Sequence, residues 1–478
     1  MTTIFSIQGS WVTISDIPSE LREKLERATR FRPVGAIYQN AYRYGKWDGY
    51  IRMLKGQRIP YGLLPRVARL WRESGCDYQI LASADSFQTG KTITEAPFCG
   101  TLRDYQFDAV VAAKRARMGT LRAPTGAGKT MIAMGLIDAI GKQALVVVPT
   151  IDLLYQFKHM AEEIMPNRRI GKLGDGTIDP QDITIGTVRT VARVLGVGYE
   201  SYEYAEVDDH DDTDGFVPDS WVKDIGVLII DEAQILGARS VFDLTMTLPI
   251  EHKYGVSASP WRDDGCDLMI EAAVGPQCYR ITTDTLLRDG WLVKPITRLI
   301  DMSHVQKNLE SGGTWADVYR TAIVKNEARN KEIAQVVDEL MVRGYQVLVL
   351  VKQISHGKAL AKLIPSATFA WGATEGEERD HLYQSMRAGT TKVLIASTIA
   401  DMGLDIPSLG ALVLAGGGKS STRHLQRIGR ICRPYEGKTH GLVVDFDDSG
   451  AHKWFAKHLK ERLKIANAEW DDMVILDF

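Results

Sequence analysis

Three groups of residues in this 478-residue chain have the types and spacing for phosphate chemistry. The first is Ala123-Pro124-Thr125-Gly126-Ala127-Gly128-Lys129-Thr130. It falls between a strand-like run at 119–122 and a helical run at 131–140, so strand, glycine-rich turn and helix come in the order a phosphate-binding loop requires. Gly126 and Gly128 let the backbone curl, so that the N–H groups around Thr125 and Ala127 point at phosphate oxygens, with the positive end of the next helix behind them. Lys129 would then reach the β- and γ-phosphates of a nucleoside triphosphate and Thr130 would hold Mg²⁺. Ala123 departs from the strict pattern, which begins with Gly; an ordinary strand-to-helix turn is the competing account.

The second group is Asp231-Glu232-Ala233-Gln234, directly after the apolar run 227–230. An acidic pair there sits at the carboxyl end of a buried strand, where α/β sheets bind ligands. Asp231 suits Mg²⁺, and Glu232 suits orienting and deprotonating an attacking water. The third group is Arg427, Arg430 and Arg433, spaced by three. On a helix that spacing aligns three guanidinium groups on one face. They could be solvated, bind nucleic acid phosphates, or stabilise the charge of phosphoryl transfer.

The elements that must hold these groups read as α/β. From about residue 96, apolar runs alternate with helical patterns, the texture of parallel sheets covered on both faces. Strand-like runs fall at 144–148, 183–185, 227–230 and 254–256, and a second series at 347–351, 367–369, 393–396, 412–414 and 441–445. Two tandem α/β units account for them, joined near 285–297, with a closing helix over 451–468. Length allows about three domains. The expected division is 1–95, 96–285 and 286–478.

Residues 1–95 read as a small α+β module with helices near 18–30 and 63–74. It carries 14 Lys/Arg against 9 Asp/Glu, and Tyr42, Arg43, Tyr44, Lys46, Trp47, Arg52, Lys55 and Arg58 fall in one run. Such interleaving suits phosphate contact and stacking on exposed bases. It equally suits a small aromatic core with solvated arginines. Residues 199–220 hold 9 acidic residues and no Lys or Arg. Asp208, Asp209, His210, Asp211 and Asp212 lack the offsets of a calcium loop, and a solvated surface loop is the better account. The five cysteines form no CxxC pair or His/Cys cluster, there is no signal-like start, and no 18 apolar residues run together. A cytoplasmic protein without membrane span, disulfide framework or zinc site is expected.

Gln426-x-x-Gly429-Arg430-x-x-Arg433, taken with the phosphate loop and DEAQ, resembles motifs VI, I and II of superfamily 2 helicases and translocases. Further motifs stand in order. Leu102 to Gln106 is similar to the segment in which a glutamine reads adenine, which implies nucleotide contacts for Arg103 and Gln106. Val148-Pro149-Thr150 resembles motif Ia and Ile185-Gly186-Thr187 the motif that touches the strand backbone. Ser257-Ala258-Ser259 resembles motif III, which couples ATP state to domain movement. Val349-Leu350-Val351 resembles motif IV, and Ser397-Thr398 with Gly403, Asp405 and Pro407 resembles motif V.

The resemblance implies two tandem RecA-like parallel-sheet domains behind a small α+β nucleic-acid-binding domain. It also implies ATP and Mg²⁺ as ligands, with Gly403 and Asp405 near the nucleotide and Gln426, Arg430 and Arg433 completing catalysis. Pro149, Thr150, Thr187 and Thr398 would contact nucleic acid, and Ser257 and Ser259 would couple the two. With Gly45-Lys46-Trp47-Asp48-Gly49 in front, the chain resembles the UvsW-type helicases of tailed phages, relatives of the XPB group. That implies 3′→5′ action on branched, forked or duplex DNA, Lys46, Trp47 and Arg52 as further contacts, and host cytoplasm if phage-encoded. Recombination or replication proteins as partners, and a monomer, complete the expectation. The departures, the Gln ending DEAQ and the acidic insert, are read as standing apart from hydrolysis. A duplex translocase without strand separation, an RNA helicase, and an ATP-switched nucleic-acid-binding protein are the alternatives.

Overall fold

The computed structural model describes residues 2–198, 217–259, 265–309, 313–371, 374, 376–397, 406–417, 427–470 and 475–476. The chain divides into two compact units, Met1–Pro124 with Gly128–Ile281, and Thr125–Ala127 with Thr282–Phe478.

In the first unit, β1 (Thr3–Gln8) and β2 (Trp11–Ile14) form a hairpin. Alternation along both strands turns Phe5, Val12 and Ile14 inward. Helix α1 (Ser19–Ala28) buries Leu21 and Leu25, four residues apart on one face. Then come β3 (Arg30–Phe31), the single-turn α2 (Asn40–Arg43), β4 (Ile51–Arg52) and β5 (Arg58–Pro60). Helix α3 (Leu64–Glu73) has Pro65 in its first turn, where a missing N–H costs nothing, and buries Leu64, Val67, Ala68 and Trp71. With β6 (Tyr78–Ala82), the sheet runs β5-β2-β1-β6.

Helix α4 (Asp104–Ala116) leads into the large sheet, made of β7 (Met118–Arg122), β8 (Ala144–Val148), β9 (Ile170–Gly174), β10 (Thr177–Asp179), β11 (Ile183–Thr187), β12 (Val227–Asp231), β13 (His252–Ser257) and β14 (Gln277–Arg280). Its order is β10-β9-β11-β8-β12-β13-β7-β14, parallel except for the β9–β10 hairpin. Helices α5 (Lys129–Ile140), α6 (Ile151–Ile164) and α7 (Val188–Val194) follow β7, β8 and β11. No strand was expected at β9, β10 or β14. The hairpin turns on Asp175-Gly176, both at positive φ, the two-residue Asp-Gly pattern that favours such a loop.

The N-terminal sheet is not independent of the large one. Phe5, Ile14 and Trp71 share one apolar core with Leu228, Ile230 and Leu236. A Cβ on Gly62 would come within 2.1 Å of Glu271 O and 2.6 Å of Ala272 O, so only glycine allows that approach. Arg66 grips the Glu271 carboxylate through two of its nitrogens. Lys253, 2% exposed, donates to Ser10 Oγ at 2.7 Å and Thr245 O at 2.9 Å, and Ser10 Oγ donates to Leu248 O at 3.0 Å.

The second unit contains β15 (Lys294–Asp301), β16 (Val347–Leu350), β17 (Ala367–Ala370), β18 (Val393–Ala396), β19 (Ala411–Val413), β20 (His440–Asp447) and β21 (Ile475–Leu476). These form an all-parallel sheet in the order β17-β18-β16-β19-β20-β15-β21. Fully buried Arg329 meets Asp448 at 2.8 and 2.9 Å and donates to Ala415 O at 3.0 Å. The closing helix, Lys453–Glu469, buries Phe455, Leu459 and Ala466, and its Arg462 pairs with Asp445 at 2.8 and 2.9 Å. All five cysteines are free thiols. Among the described residues, no helix is long and apolar enough to cross a membrane and no cluster of three His, Cys, Asp or Glu forms a metal site. The acidic residues 199–216 lie outside the described residues, while Val217 to Ser220 lead into the helix Asp219–Asp224.

Burial lowers Lys253 from 10.5 to about 7. The unfolded chain therefore holds a proton there that the folded chain releases, and this residue makes stability rise with pH between about 7 and 10.5, at up to about 1.4 kcal/mol per pH unit. In denaturation series across that range, Lys253→Met should lack this increment, so the wild-type gain relative to the variant should be largest near pH 10.

Candidate active site

The phosphate loop leaves the carboxyl end of β7 and the acidic pair that of β12, with β13 between them. Gly126 and Gly128 have φ of +92° and +73°, in the left-handed region where a Cβ is penalised. Gly128 caps α5, so Lys129 and Thr130 start the helix. Ala123 N donates to Ser257 O at 2.9 Å, tying the loop's first residue to the end of β13. Gln106 is buried, accepts from Arg103 N at 3.0 Å, and has its Nε2 2.5 Å from where a Cβ on Gly128 would stand. The amide expected to read a base thus lies against the glycine turn. Arg103 Nη1 donates to the Tyr105 hydroxyl at 2.9 Å.

Across β13, Lys129 Nζ lies 3.5 Å from Glu232 Oε1. Glu232 has φ +51°, a left-handed conformation costing about 1 kcal/mol in a residue with a Cβ. Asp231 ends β12 with 3% exposure, and its Oδ1 is buried without a hydrogen-bond partner among the described residues. Burial holds its carboxyl well above the ordinary range, the Glu232 charge adds to this, and Lys129 opposes it. A buried carboxylate oxygen with no partner among the described residues is the kind of oxygen donor that a hard cation such as Mg²⁺ takes.

Gln234, expected to stand apart from hydrolysis, is hydrogen-bonded to Glu232. Its Nε2 donates to Glu232 Oε2 at 2.8 Å, and its Oε1 accepts from Ser257 Oγ at 2.6 Å. Ser257 Oγ in turn accepts from Ser259 N at 3.0 Å. An unbroken chain runs Glu232–Gln234–Ser257–Ser259. The signal was present in the sequence as an amide two residues after the acid, but only the β12–β13 pairing brings the serine to it.

Other expected residues fall elsewhere. Pro149 and Thr150 follow β8, and Thr187 ends β11; all three are buried. The two threonine hydroxyls cap α6 and α7, accepting from Leu153 N at 3.4 Å and Thr190 N at 3.5 Å. Lys46 is exposed, Trp47 is half-buried with its indole N–H on Tyr50 O at 2.8 Å, and Arg52 is ion-paired with Asp48. Thr398, Gly403, Asp405 and Gln426 lie outside the described residues. In the second unit a helical run covers 427–431, with Arg430 buried; Arg433 lies beyond its end. The expectation of three arginines on one helix face is corrected, because Pro434 drives the residue before it out of helical conformation. Burial, with Arg387 nearby, lowers Arg433 from 12.5 to about 10.

Residues 89–255 match the family model "Type III restriction enzyme, res subunit", and 330–434 match "Helicase conserved C-terminal domain". With its two parallel-sheet units, the chain is a superfamily 2 helicase in architecture, built of a ResIII part and a helicase C-terminal part. It is 25% identical over 469 residues to the ATP-dependent DNA helicase uvsW of Enterobacteria phage T4, covering 90% of this chain and 88% of that protein. It is 26% identical over 374 residues to the DNA 3'-5' translocase XPB2 of Sulfurisphaera tokodaii, covering 70% and 78%. Against the Rad25 protein of Halobacterium salinarum, 29% identity extends over 70% of this chain and 52% of the relative, about half its length. The fold matches that of the ATP-dependent Type ISP restriction-modification enzyme LlaBIII bound to DNA, with TM-score 0.55, 16% identity, and coverage of 80% of this chain and 30% of that one.

Because the folded state raises the Asp231 pKa, its contribution to stability is greatest in acid and is lost as pH climbs from 3.8 toward the raised value. Without nucleotide or divalent cation, Asp231→Asn should therefore be more stable than wild type at pH 8, by about 1 to 3 kcal/mol. Thermal melts should show this gap close toward pH 4.

Proposed function

We propose that this chain is an ATP-driven motor that moves along DNA and remodels branched or forked duplexes. The observation that carries the reading is the meeting of Lys129, Asp231 and Glu232 over β13, tied through Gln234 to Ser257 and Ser259. Loop amides at Thr125 to Gly128 and the Lys129 ammonium bind the triphosphate, and Arg103 and Gln106 take its base. Thr130 and Asp231 would hold Mg²⁺, which when bound neutralises phosphate charge. Glu232 orients a water and accepts its proton as it attacks the terminal phosphorus. Arg430 and Arg433, carried by the second unit with Gln426, meet the charge that develops on the transferred group. Gly403 and Asp405 are assigned to the nucleotide as well.

The Gln234 chain supports a further step. A change at Glu232 during hydrolysis reaches Ser257 through two hydrogen bonds and Ser259 through a third, so domain opening and closing can follow the state of the nucleotide. Pro149, Thr150, Thr187 and Thr398 are proposed to follow the nucleic acid backbone, with Lys46, Trp47 and Arg52 adding contacts from an N-terminal region, 1–95, ahead of the two catalytic parts at 96–285 and 286–478. DNA is favoured over RNA by the T4 relative, whose match spans nearly the whole chain. Recombination or replication partners, a monomeric state and a cytoplasmic setting belong to the same reading. A second reading, duplex translocation without strand separation, draws support from the relative named as a translocase.

Glu232→Gln should keep ATP and DNA binding while DNA-stimulated ATPase falls by about 100-fold or more, a loss suited to a missing base. Substantial turnover in this variant would remove Glu232 from that role. Gln234→Ala should lower kcat by roughly tenfold with little change in KM, as expected when only the transition state loses a contact. Strand displacement on forked, flush and RNA duplexes decides between the two readings: displacement on DNA forks supports the first, and ATPase without displacement the second.

A further inference from the structure

Among the described residues, twelve large apolar side chains are exposed, and four of them, Val34, Ile37, Tyr38 and Tyr44, fall within eleven residues. Tyr38 and Tyr44 are 79% and 74% exposed. Such a concentration on the surface marks a contact site. The segment leaves the two-stranded ribbon at β3 and returns to it at β4, where Arg30 pairs with Arg52 and Phe31 with Ile51.

The base of this excursion is braced from within. Asp48 accepts from Arg52 at 3.0 Å and from Tyr50 N at 3.1 Å, and Arg32 Nη2 donates to Asp48 O at 3.0 Å. Trp47 donates to Tyr50 O at 2.8 Å, while the guanidinium carbons of Arg30 and Arg32 lie 4.5 and 4.7 Å from the Tyr50 ring centroid. Gly49, at φ +84°, leaves no room for a side chain, since a Cβ there would stand 3.0 Å from Arg32 Nε and 3.2 Å from the Tyr42 ring. Polar and cationic groups thus fasten the base, and the apolar groups are left at the tip. Collapse onto a core of their own would have arranged these side chains the other way round.

Charge identifies the occupant. Residues 30–58 contain seven Lys or Arg and one Asp, and Asp48 is engaged by Arg52. An apolar, aromatic tip with exposed Arg43 and Lys46 beside it fits flat, unpaired π-faces bordered by phosphates. The start of the segment also lies against the part of the unit that follows β13. A Cβ on Gly265, six residues beyond Ser259, would lie 3.7 Å from Arg32 O and 3.8 Å from Val34 Cγ2.

We propose that residues 33–44 form a stacking wedge that takes the terminal base pair at a duplex end or fork, with Ile37 and Tyr38 against the base faces and Arg43 and Lys46 on the backbones. This rests on the reading of the chain as a DNA motor and adds the part that separates strands. The test uses the full chain and a forked DNA duplex. Ile37→Ser/Tyr38→Ala should lower strand displacement at least tenfold while ATPase stimulated by single-stranded DNA stays within twofold of wild type. Ile37→Leu/Tyr38→Phe, which keeps the apolar and aromatic faces, should restore displacement. Displacement within twofold of wild type in the first variant, or a parallel fall in both assays, would overturn the wedge. Wild type without any DNA-stimulated ATPase would instead overturn the motor reading beneath it.

Discussion

A carboxylate oxygen buried without a hydrogen-bond partner is an expensive thing for a fold to keep, and Asp231 has one at the end of β12, where none of the described residues bonds to it. The surroundings reduce that cost by favouring the protonated carboxyl, and Lys129 stands across β13 to balance Glu232. Everything else about the site follows from keeping that oxygen dry and pointed. The parallel strands on either side of it, β8 and β13, are buried over nearly their whole length, which keeps water away. The glycines of the phosphate loop let the backbone approach where a side chain would block it.

The strand order links the acidic pair to the loop after β7. Since β13 runs between β12 and β7, the serines at its end stand between the acidic pair and the phosphate loop. Ser257 thereby holds two links at once: its carbonyl accepts from the loop's Ala123 N–H, and its hydroxyl donates to Gln234. A glutamine in the fourth position of the acidic motif suits this duty, because one amide can donate to a carboxylate and accept from a hydroxyl together. The N-terminal region belongs to the same frame. Its core is continuous with that of the large sheet; Lys253 joins it to β13 itself, and Gly62 and Arg66 join it to Glu271 and Ala272.

Much of this was legible in order along the chain. The parallel strands announced themselves as apolar runs because both of their faces are buried, and the phosphate loop and acidic pair because their backbone and charge demands admit few residue types. Strands with other demands were not announced. Polar β14 lies at a sheet edge, and β9 and β10 carry mixed residues whose clearest sign is the Asp-Gly turn. Of the aromatic and basic run after Arg30, the sequence could not separate braces from contacts, since Trp47, Tyr50 and Tyr38 look alike until burial is known.

The sequence by itself determined the local groups: a glycine-rich loop between strand and helix, an acidic pair at a strand end, and distant arginines, each specified by local backbone and charge requirements. Tertiary structure alone decided which of these touch. It brought Gln234 between Glu232 and Ser257, ended the arginine helix before Arg433, used the hydroxyls of Thr150 and Thr187 as helix caps, and left Tyr38 in water while burying Trp71. The reason is physical. Local propensity acts over a few residues, whereas burial and pairing depend on strand order, which places neighbours from far along the chain side by side.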